Sequence, residues 1–230
     1  MTSTNRPSCV GLVGFGEAGM AFVSGWAADR PAHIGASDIK TDVAETRQVL
    51  HDRYAAHGGQ GAATLAEAVA AALEGFRAVN PPQGAAAPHS TARGVRGAAR
   101  LAGAVGAVGA VFRVVTADQA LAVAQAAAGD LAPGTLWFDC NSCAPGTKRR
   151  AAEVIAAVGG RYVDVAVMAP VHPKKHHVPL LVSGPHADAA MALLTALDMK
   201  PRAVGDEVGR ASSIKMLRSV MVKGMEALTA

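Results

Sequence analysis

Three glycines near the amino terminus restrict the fold of this chain more than any other feature. Gly14, Gly16 and Gly19 have the spacing G-x-G-x-x-G, directly after the apolar run Cys9–Val13 and before the stretch MAFVSGWA. This context predicts a strand, a tight turn and a helix. We expect Gly14 to permit the turn, Gly16 to let another molecule approach the backbone, and Gly19 to let the helix pack closely on its strand.

The same junction predicts a site for a dinucleotide. The amino terminus of the helix offers backbone N–H groups around Phe15, Glu17 and Ala18 that can bind a diphosphate. Asp38 ends the second apolar run, HIGASD, where a carboxylate accepts hydrogen bonds from ribose hydroxyls and repels a 2′-phosphate. We therefore expect NAD, although Lys40, two residues further on, could tolerate the phosphate of NADP. The alternatives are a glycine-rich turn without a ligand and an Asp38 that is only a turn residue.

Thr116 follows the apolar run VFRVV, at a position where Rossmann-type loops pass along the cofactor. Its hydroxyl or its backbone is expected to contact the nucleotide. The predicted cofactor-binding residues are thus Gly14, Phe15, Gly16, Glu17, Ala18, Gly19, Asp38 and Thr116.

Strand and helix patterns alternate along most of the chain, which is typical of a parallel sheet covered by helices. We predict an α/β fold with a doubly wound, mostly parallel sheet of the Rossmann type. The predicted strands are Cys9–Val13, His33–Ser37, Val108–Val115, Thr135–Cys140, Arg161–Val167 and Leu180–Ser183. The predicted helices include Asp118–Ala128, Lys148–Val158 and a last helix that begins at Asp206 or Glu207. Residues 1–205 would form the nucleotide-binding domain, and residues 206–230 the start of an interdomain helix.

An irregular segment interrupts this order. Residues 75–106 accumulate proline, glycine, alanine and arginine without periodicity, which predicts an insertion or a disordered loop. The formal net charge is +4, and the excess comes from five arginines in or near this segment: Arg77, Arg93, Arg96, Arg100 and Arg113. A nucleic-acid-binding arm is the alternative interpretation, but the segment lacks interleaved aromatic side chains that stack on bases, so we do not expect it.

Cysteine content and hydropathy indicate the cellular compartment of the protein. Three cysteines are too few and too unevenly placed for a disulfide framework, and the first residues lack the apolar run of a signal peptide. No apolar stretch reaches the ~20 residues that a membrane span needs. We expect a reduced, cytoplasmic protein without a membrane segment.

Three later segments resemble the β-hydroxyacid dehydrogenase family, which contains 3-hydroxyisobutyrate dehydrogenase, tartronate semialdehyde reductase and, more distantly, 6-phosphogluconate dehydrogenase. DCNSCAPGT (Asp139–Thr147) is similar to the family's substrate loop, and VGRASSIKMLRS (Val208–Ser219) is similar to its entry into the helix with the catalytic lysine. GGRYVDVAVMAP (Gly159–Pro170) keeps the family's aspartate as Asp164, but has Met-Ala-Pro at residues 168–170, where Ser-Gly-Gly usually holds a substrate carboxylate. Because of this departure, the resemblance does not name the substrate.

The resemblance implies an NAD(P)-dependent oxidoreductase that transfers a hydride between the nicotinamide and a small 3-hydroxy acid. Lys215 falls on the catalytic lysine, the general acid and base; an ordinary solvated helix lysine is the alternative. Arg218, one turn further on, is expected to depress the pKa of Lys215 or to bind a substrate carboxylate. The substrate-binding residues implied are Asn141, Ser142, Arg218 and Ser219, the last in place of the family's usual asparagine.

Family members continue into an all-helical domain that completes the substrate cleft and usually builds a homodimer. Only 15 residues follow Lys215, which suggests a chain truncated after the catalytic-lysine helix. The alternative to an enzyme is therefore a non-catalytic NAD(P)-binding fragment.

Two further clusters have more than one interpretation. Cys140 and Cys143 form C-x-x-C, a spacing found in redox pairs and zinc sites, but we expect them to be small residues at a strand end. The histidines and lysines of HPKKHH (residues 172–177) form a cationic cluster that could attract an anionic substrate or be an exposed loop. No metal site is predicted there, because we expect no acidic ligand nearby.

Overall fold

The computed structural model describes residue 7 and residues 9–27, 30–38, 43–62, 64–69 and 109–229. Eight strands in these ranges form one sheet. They are β1 (Cys9–Val13), β2 (His33–Ser37), β3 (Gln60–Gly61), β4 (Ala110–Arg113), β5 (Leu136–Asp139), β6 (Arg161–Val167), β7 (Pro179–Ser183) and β8 (Lys200–Gly205). The helices are α1 (Glu17–Trp26), α2 (Ala44–Ala56), α3 (Ala120–Ala128), α4 (Pro145–Ala157), α5 (Ala187–Ala196) and α6 (Arg210–Thr229), with 3₁₀ turns at Ala117–Gln119 and Lys175–His177.

The sheet is doubly wound. Its strand order is β3-β2-β1-β4-β5-β6-β7-β8, and all neighbours are parallel except β6 and β7. The chain winds outward in both directions from β1 and β4, so the turns after these two strands lie side by side at the carboxyl edge, where such sheets bind ligands. The predicted α/β class and mostly parallel sheet are confirmed.

Helices cover both faces of the sheet. On one face α1, α2 and α5 pack against β-strand side chains such as Leu12, Phe112 and Phe138, and the rings of Phe112 and Phe138 stack with centroids 4.6 Å apart. On the other face α3 and α4 pack against side chains such as Val111 and Trp137. Because both faces are buried, the central strands are nearly continuous apolar runs, and the sequence reveals them clearly.

Two edge strands were not predicted. β3 has only two residues, and β8 is largely exposed and has the sequence KPRAVG, in which charge and proline hide the strand pattern. β4 and β5 are shorter than predicted, since Gly109, Val114, Val115, Thr135 and Cys140 are not in strands, and residue 108 lies outside the described residues.

Two helix starts also differ from prediction. α4 begins at Pro145, three residues early, because proline is well suited to a first helical turn. The prediction that the last helix begins at Asp206 or Glu207 is wrong, since α6 begins at Arg210. Gly209, just before it, has φ +97°, so the backbone is not yet helical there.

Some predictions lie outside the described residues: the irregular segment 75–106 with four of the five arginines, and Lys40. The fifth arginine, Arg113, is completely buried and so does not belong to a basic arm. Within the ranges that the structure describes, no helix combines the length and the apolar character needed to cross a bilayer.

Candidate nucleotide and substrate site

The first strand-to-helix turn requires glycine at two positions. Gly14 has φ +89°, and a Cβ there would lie 2.6 Å from the carbonyl oxygen of Val114. A Cβ on Gly19 would lie 3.0 Å from the carbonyl oxygen of Gly14. The backbone N–H of Gly14 also donates to the carbonyl of Ser37 on β2, at 2.7 Å. These contacts seat α1 close against β1, β2 and β4, as the motif predicts.

Gly16 serves a different purpose. A Cβ there would meet no described atom within 4 Å, and the residue is exposed at the amino terminus of α1. Among the residues that the structure describes, no side chain caps this helix end, so its first N–H groups have no side-chain partner there. The turn therefore fits a diphosphate, which accepts hydrogen bonds from such groups. The exposed carboxylate of Glu17, in the first turn, does not favour an anion there.

The neighbouring predicted cofactor residues divide between backbone and side-chain roles. Phe15 is buried, with its ring edge-on to Tyr54 at 4.7 Å between centroids, so only its backbone faces the turn. Ala18 packs on the same core. Asp38 directly follows β2, and its Oδ2 accepts a hydrogen bond from the Phe15 N–H at 3.0 Å. The acid thus lies beside the glycine turn, as a ribose-binding carboxylate would.

Thr116 is exposed in the turn that follows β4, next to the turn that follows β1. It begins the 3₁₀ turn Ala117–Gln119, and its carbonyl accepts a hydrogen bond from the Gln119 N–H at 3.2 Å. The fold therefore brings Thr116, Asp38 and the glycine turn to one edge of the sheet.

A prediction follows from the contrast between the first two glycines. We expect Gly14→Ala to lower the free energy of unfolding by about 1–3 kcal/mol, because alanine is strained at positive φ and its Cβ would collide with Val114. Gly16→Ala is the matched control and should change it by less than about 1 kcal/mol. Urea unfolding measures both, and equal losses would contradict this description of the turn.

A row of polar side chains crosses the sheet next to this edge. Arg113 on β4 is in register with Asp139 on β5, Asp139 with Asp164 on β6, and Asp164 with Ser183 on β7. All four side chains are buried. Arg113 forms an ion pair with Asp139, and Ser183 Oγ donates to Asp164 Oδ2 at 3.1 Å. Buried charges persist only when paired in this way.

Lys148 on α4 contacts two aspartates of this row, Asp139 and Asp164. Its Nζ lies 3.2 Å from Asp139 Oδ1 and 3.1 Å from Asp164 Oδ1, and it donates to the carbonyl of Asp139 at 2.6 Å. Burial alone would raise the pKa of Asp139, but Lys148 and Arg113 hold that pKa below its usual value. Burial alone would lower the pKa of Lys148, but the two aspartates raise it. Both groups therefore remain charged.

Asp164 also fixes the start of α6. Its Oδ2 accepts hydrogen bonds from the N–H groups of Gly209 and Ser212, at 3.0 and 3.1 Å, and its Oδ1 accepts one from the Ser212 hydroxyl at 2.7 Å. A carboxylate from β6 thus caps the helix, instead of the predicted Asp206 or Glu207.

A cleft of about 270 Å³ opens between α6 and the loop after β5. Four of the residues that line it were predicted to bind substrate or to be catalytic: Asn141, Ser142, Lys215 and Ser219. The other lining residues belong to the same loop or to α6: Cys143, Ala144, Ser212, Met216, Val220 and Lys223. The described residues of the wall include two lysines and no carboxylate, so they favour an anionic ligand.

Lys215 projects from α6 toward the loop after β5, where its Nζ donates to Ser142 Oγ at 2.6 Å. Burial lowers the pKa of Lys215, and the nearby ammonium of Lys148 lowers it further, while Cys140 opposes the shift. A lysine with a lowered pKa gives up its proton more readily than an ordinary lysine, as a general base requires. Arg218, which the sequence suggested as a partial cause of this shift, is not among the groups that cause it here, and the cation that adds to the effect of burial is Lys148.

Asn141 is the clearest sign of a ligand in the cleft. Its side chain is 4% exposed, yet among the described residues neither Oδ1 nor Nδ2 has a hydrogen-bond partner. An unpaired buried amide costs about 1–3 kcal/mol, and a functional role is one of the explanations for such a group. Asn141 also lines the cleft, so this amide lies next to the space that a ligand would occupy.

The other two predicted substrate residues lie on α6 near Lys215. Ser219 lines the cleft, and its Oγ donates to the Lys215 carbonyl at 2.9 Å. Arg218 donates to the carbonyl of Met168 at 3.0 Å and is not part of the cleft wall. Arg218 thus ties α6 to the loop after β6, in this structure.

The two cysteines of C-x-x-C are buried, free thiols. Burial raises the pKa of Cys140 to about 12 and also raises that of Cys143. Thiols with raised pKa values are poor nucleophiles and poor metal ligands, so the structure supports their interpretation as small residues at a strand end.

The cationic cluster is mostly an exposed loop, which is one of the two interpretations that the sequence left open. Its turn Lys175–His177 packs against α1, and none of its residues lines the cleft. The expectation that no acidic residue lies near is wrong, because Asp198, in the turn after α5, places Oδ2 2.8 Å from His177 Nε2. Sequence separation of 21 residues hid this contact.

The polar row was missed at the sequence level. Lys148 lies on the same face of its helix as the buried residues Ala151 and Ile155. A lysine on an apolar helix face was therefore the one sequence signal that could have indicated a buried charge. Asp139, Asp164 and Arg113 each end or interrupt an apolar strand, but only the strand register shows that they meet.

Neither a protein-family model nor a curated protein matches this sequence. Solved structures do match. A conserved hypothetical protein from Sinorhizobium meliloti is 31% identical, with a TM-score of 0.76 over 98% of this chain and 63% of that chain. A conserved protein of unknown function, described as structurally similar to 3-hydroxyacid dehydrogenases, is 24% identical, with a TM-score of 0.67 over 96% of this chain and 66% of that one.

Enzymes with the same fold are more distant in sequence. Mycobacterium tuberculosis 3-hydroxyisobutyrate dehydrogenase, solved with L-serine, is 15% identical, with a TM-score of 0.66 over 93% of this chain and 60% of that chain. Imine reductases at 15–20% identity have TM-scores of 0.62–0.65. This chain spans 60–66% of the length of these structures. The described residues therefore have the Rossmann-domain fold of the β-hydroxyacid dehydrogenase family, as the sequence motifs predict.

Proposed function

We propose that this chain is the nucleotide-binding part of an NAD(P)-dependent oxidoreductase that acts on a small 3-hydroxy acid, with Lys215 as general acid and base. The observation that carries the proposal is the position of Lys215, hydrogen-bonded to Ser142 in a cleft that also contains the unpaired amide of Asn141. The fold alone would not support this activity, because one fold is found in proteins with many different activities.

The glycine turn, Asp38 and Thr116 would hold the dinucleotide. Gly14 and Gly19 shape the turn, Gly16 keeps the space over the helix amino terminus open, and Asp38 offers a carboxylate to the ribose. That acid favours NAD over NADP, because it would repel a 2′-phosphate. Imine reductases of the same fold were solved with NADP⁺ or with NADPH4, so both NAD and NADP belong in any test.

The cleft chemistry suits a hydroxy acid. The substrate carboxylate would be held by the cationic wall and by Nδ2 of Asn141, with Ser142 and Ser219 available to its hydroxyl. A bound nicotinamide supplies the hydride acceptor during oxidation and the hydride donor during reduction. In oxidation the neutral amine of Lys215 takes the hydroxyl proton as the C–H bond breaks; in reduction the ammonium returns that proton to the carbonyl oxygen.

The experiment is a turnover assay on the purified chain. NAD⁺ and NADP⁺ are offered with a panel of small 3-hydroxy acids, and reduction of cofactor is followed by the near-ultraviolet absorbance of the reduced nicotinamide. Turnover that depends on Lys215 supports the proposal. Cofactor binding without turnover across the panel would instead indicate a non-catalytic NAD(P)-binding fragment. Activity on cyclic imines alone would show that the substrate is an imine and not a hydroxy acid.

The cofactor residues, the substrate residues and Lys215 would act in one active site, and a homodimer like that of full-length family members is part of the same proposal. The dimer is suggested by the resemblance to the family. It is consistent with exposed apolar side chains on α6: Met216, Leu217, Val220, Met221, Met225 and Leu228.

A further inference from the structure

Two turns that are distant in sequence bring three potential metal ligands together, and none of the three lines the cleft described above. His176 and His177 belong to the 3₁₀ turn between β6 and β7, and Asp198 belongs to the turn between α5 and β8. One ligand atom from each residue lies within 4.8 Å of the others. Two imidazoles and one carboxylate form a donor set that zinc and similar divalent ions prefer.

The distances suit a shared ion. Asp198 Oδ2 lies 2.8 Å from His177 Nε2 and 3.8 Å from His176 Nε2. Zinc binds nitrogen and carboxylate oxygen at about 2.0–2.2 Å, so two ligand atoms of one ion lie up to about 4 Å apart. The longer of the two distances exceeds a hydrogen bond, which leaves His176 Nε2 facing Asp198 without a direct bond.

A hydrogen bond from Lys200 orients the carboxylate of Asp198. Lys200 Nζ donates to Oδ1 at 2.7 Å and leaves Oδ2 directed at the two imidazoles. Carboxylates that bind metals are commonly held by such an outer hydrogen bond. Lys200 also places a positive charge near the ion, so we expect moderate rather than tight affinity.

The frame around His176 is rigid. Its side chain is 10% exposed and packs on α1 so closely that a Cβ on Gly25 would lie 2.2 Å from His176 Nδ1. Gly25 is nine residues beyond Gly16, about 13 Å along the helix axis at 1.5 Å per residue. The three ligands are therefore separate from the glycine turn that would receive the dinucleotide.

We propose that His176, His177 and Asp198 bind one divalent cation of the zinc class, which joins the β6–β7 turn to the α5–β8 turn beside the end of α1. The open coordination positions would be filled by water. The ion would stabilise the folded chain, because the unfolded chain does not bring these three residues together.

The test uses the untagged chain, with Co²⁺ and Zn²⁺ as probes. Co²⁺ should give visible absorption bands at a stoichiometry of one ion per chain, Zn²⁺ should displace it, and Zn²⁺ should raise the thermal unfolding temperature. His177→Ala and Asp198→Asn should each weaken Zn²⁺ binding at least about tenfold. Both side chains are about half exposed, and asparagine tolerates the left-handed backbone of Asp198 (φ +55°), so both variants should fold.

His172→Ala is the matched control, because His172 is an exposed histidine of the same loop that is not one of the three ligands. It should bind Zn²⁺ like the parent chain. Absence of Co²⁺ bands at about millimolar metal, equal weakening by His172→Ala, or full binding by His177→Ala and Asp198→Asn would overturn the proposal. Each of these results is independent of nucleotide binding and of turnover.

Discussion

Replacement of Lys215 by methionine is expected to lower turnover of the hydroxy acid by about 10²–10⁴-fold, the usual contribution of a positioned acid or base. Methionine fills similar space without an exchangeable proton. Cofactor affinity should stay within about twofold, because Lys215 contacts Ser142 in the cleft and not the glycine turn. Steady-state kinetics and a cofactor titration on the same preparation measure both quantities.

The pH dependence of oxidation provides a second readout for the same residue. Burial and Lys148 lower the pKa of Lys215, and the neutral amine is the base in oxidation. The rate of oxidation should therefore rise with pH and level off below the range where an ordinary lysine titrates, while the rate of reduction should fall over the same range. Lys223→Met, on the same cleft wall, is the matched control and should keep this profile. An unchanged rate in Lys215→Met would remove Lys215 from the mechanism.

The second large effect concerns stability. Asp139→Asn should lower the free energy of unfolding by about 3–5 kcal/mol, because it leaves the buried cations Arg113 and Lys148 without a partner on β5. Asp130→Asn, on an exposed aspartate, should change it by less than about 0.5 kcal/mol. Chemical unfolding followed by circular dichroism measures the difference.

The folded-state pKa of Asp139 lies below its usual value, so its contribution to stability is present above the unfolded pKa and is lost as pH falls through the folded pKa. The parent chain should thus lose stability in acid more steeply than Asp139→Asn does. Equal acid sensitivity in the two chains, or a loss of under about 1 kcal/mol in the variant, would contradict the described network.

Local sequence patterns predicted the parts of the molecule that depend on neighbours in the chain. The glycine turn can be read from spacing, because the conformation of Gly14 and the close approach at Gly19 are set within a few residues. The central strands could be predicted because burial on both faces makes each one a nearly continuous apolar run. Asn141, Ser142, Lys215 and Ser219 were placed by resemblance to family motifs, and the fold brings them to one cleft.

Contacts that depend on strand register could not be predicted in this way. Lys148 and Asp164 lie 16 positions apart in the sequence, and nothing local shows that Lys148 pairs with that aspartate or lowers the pKa of Lys215. The sequence therefore suggested Arg218, the nearest cation on the same helix, for the second role. The start of α6 was misplaced for the same reason, because its cap comes from β6 and not from the residues just before it.

The proposed function depends most directly on a dinucleotide binding over Gly16. Calorimetric titration with NAD⁺ and NADP⁺ should show one saturable site per chain, with micromolar affinity of order 10⁻⁶–10⁻⁴ M and tighter binding of NAD⁺. Gly16→Val should remain folded and bind at least about tenfold more weakly, because its side chain would fill the space left open for the diphosphate. No association at about millimolar nucleotide, or equal affinity in Gly16→Val, would show that this turn is not a nucleotide site.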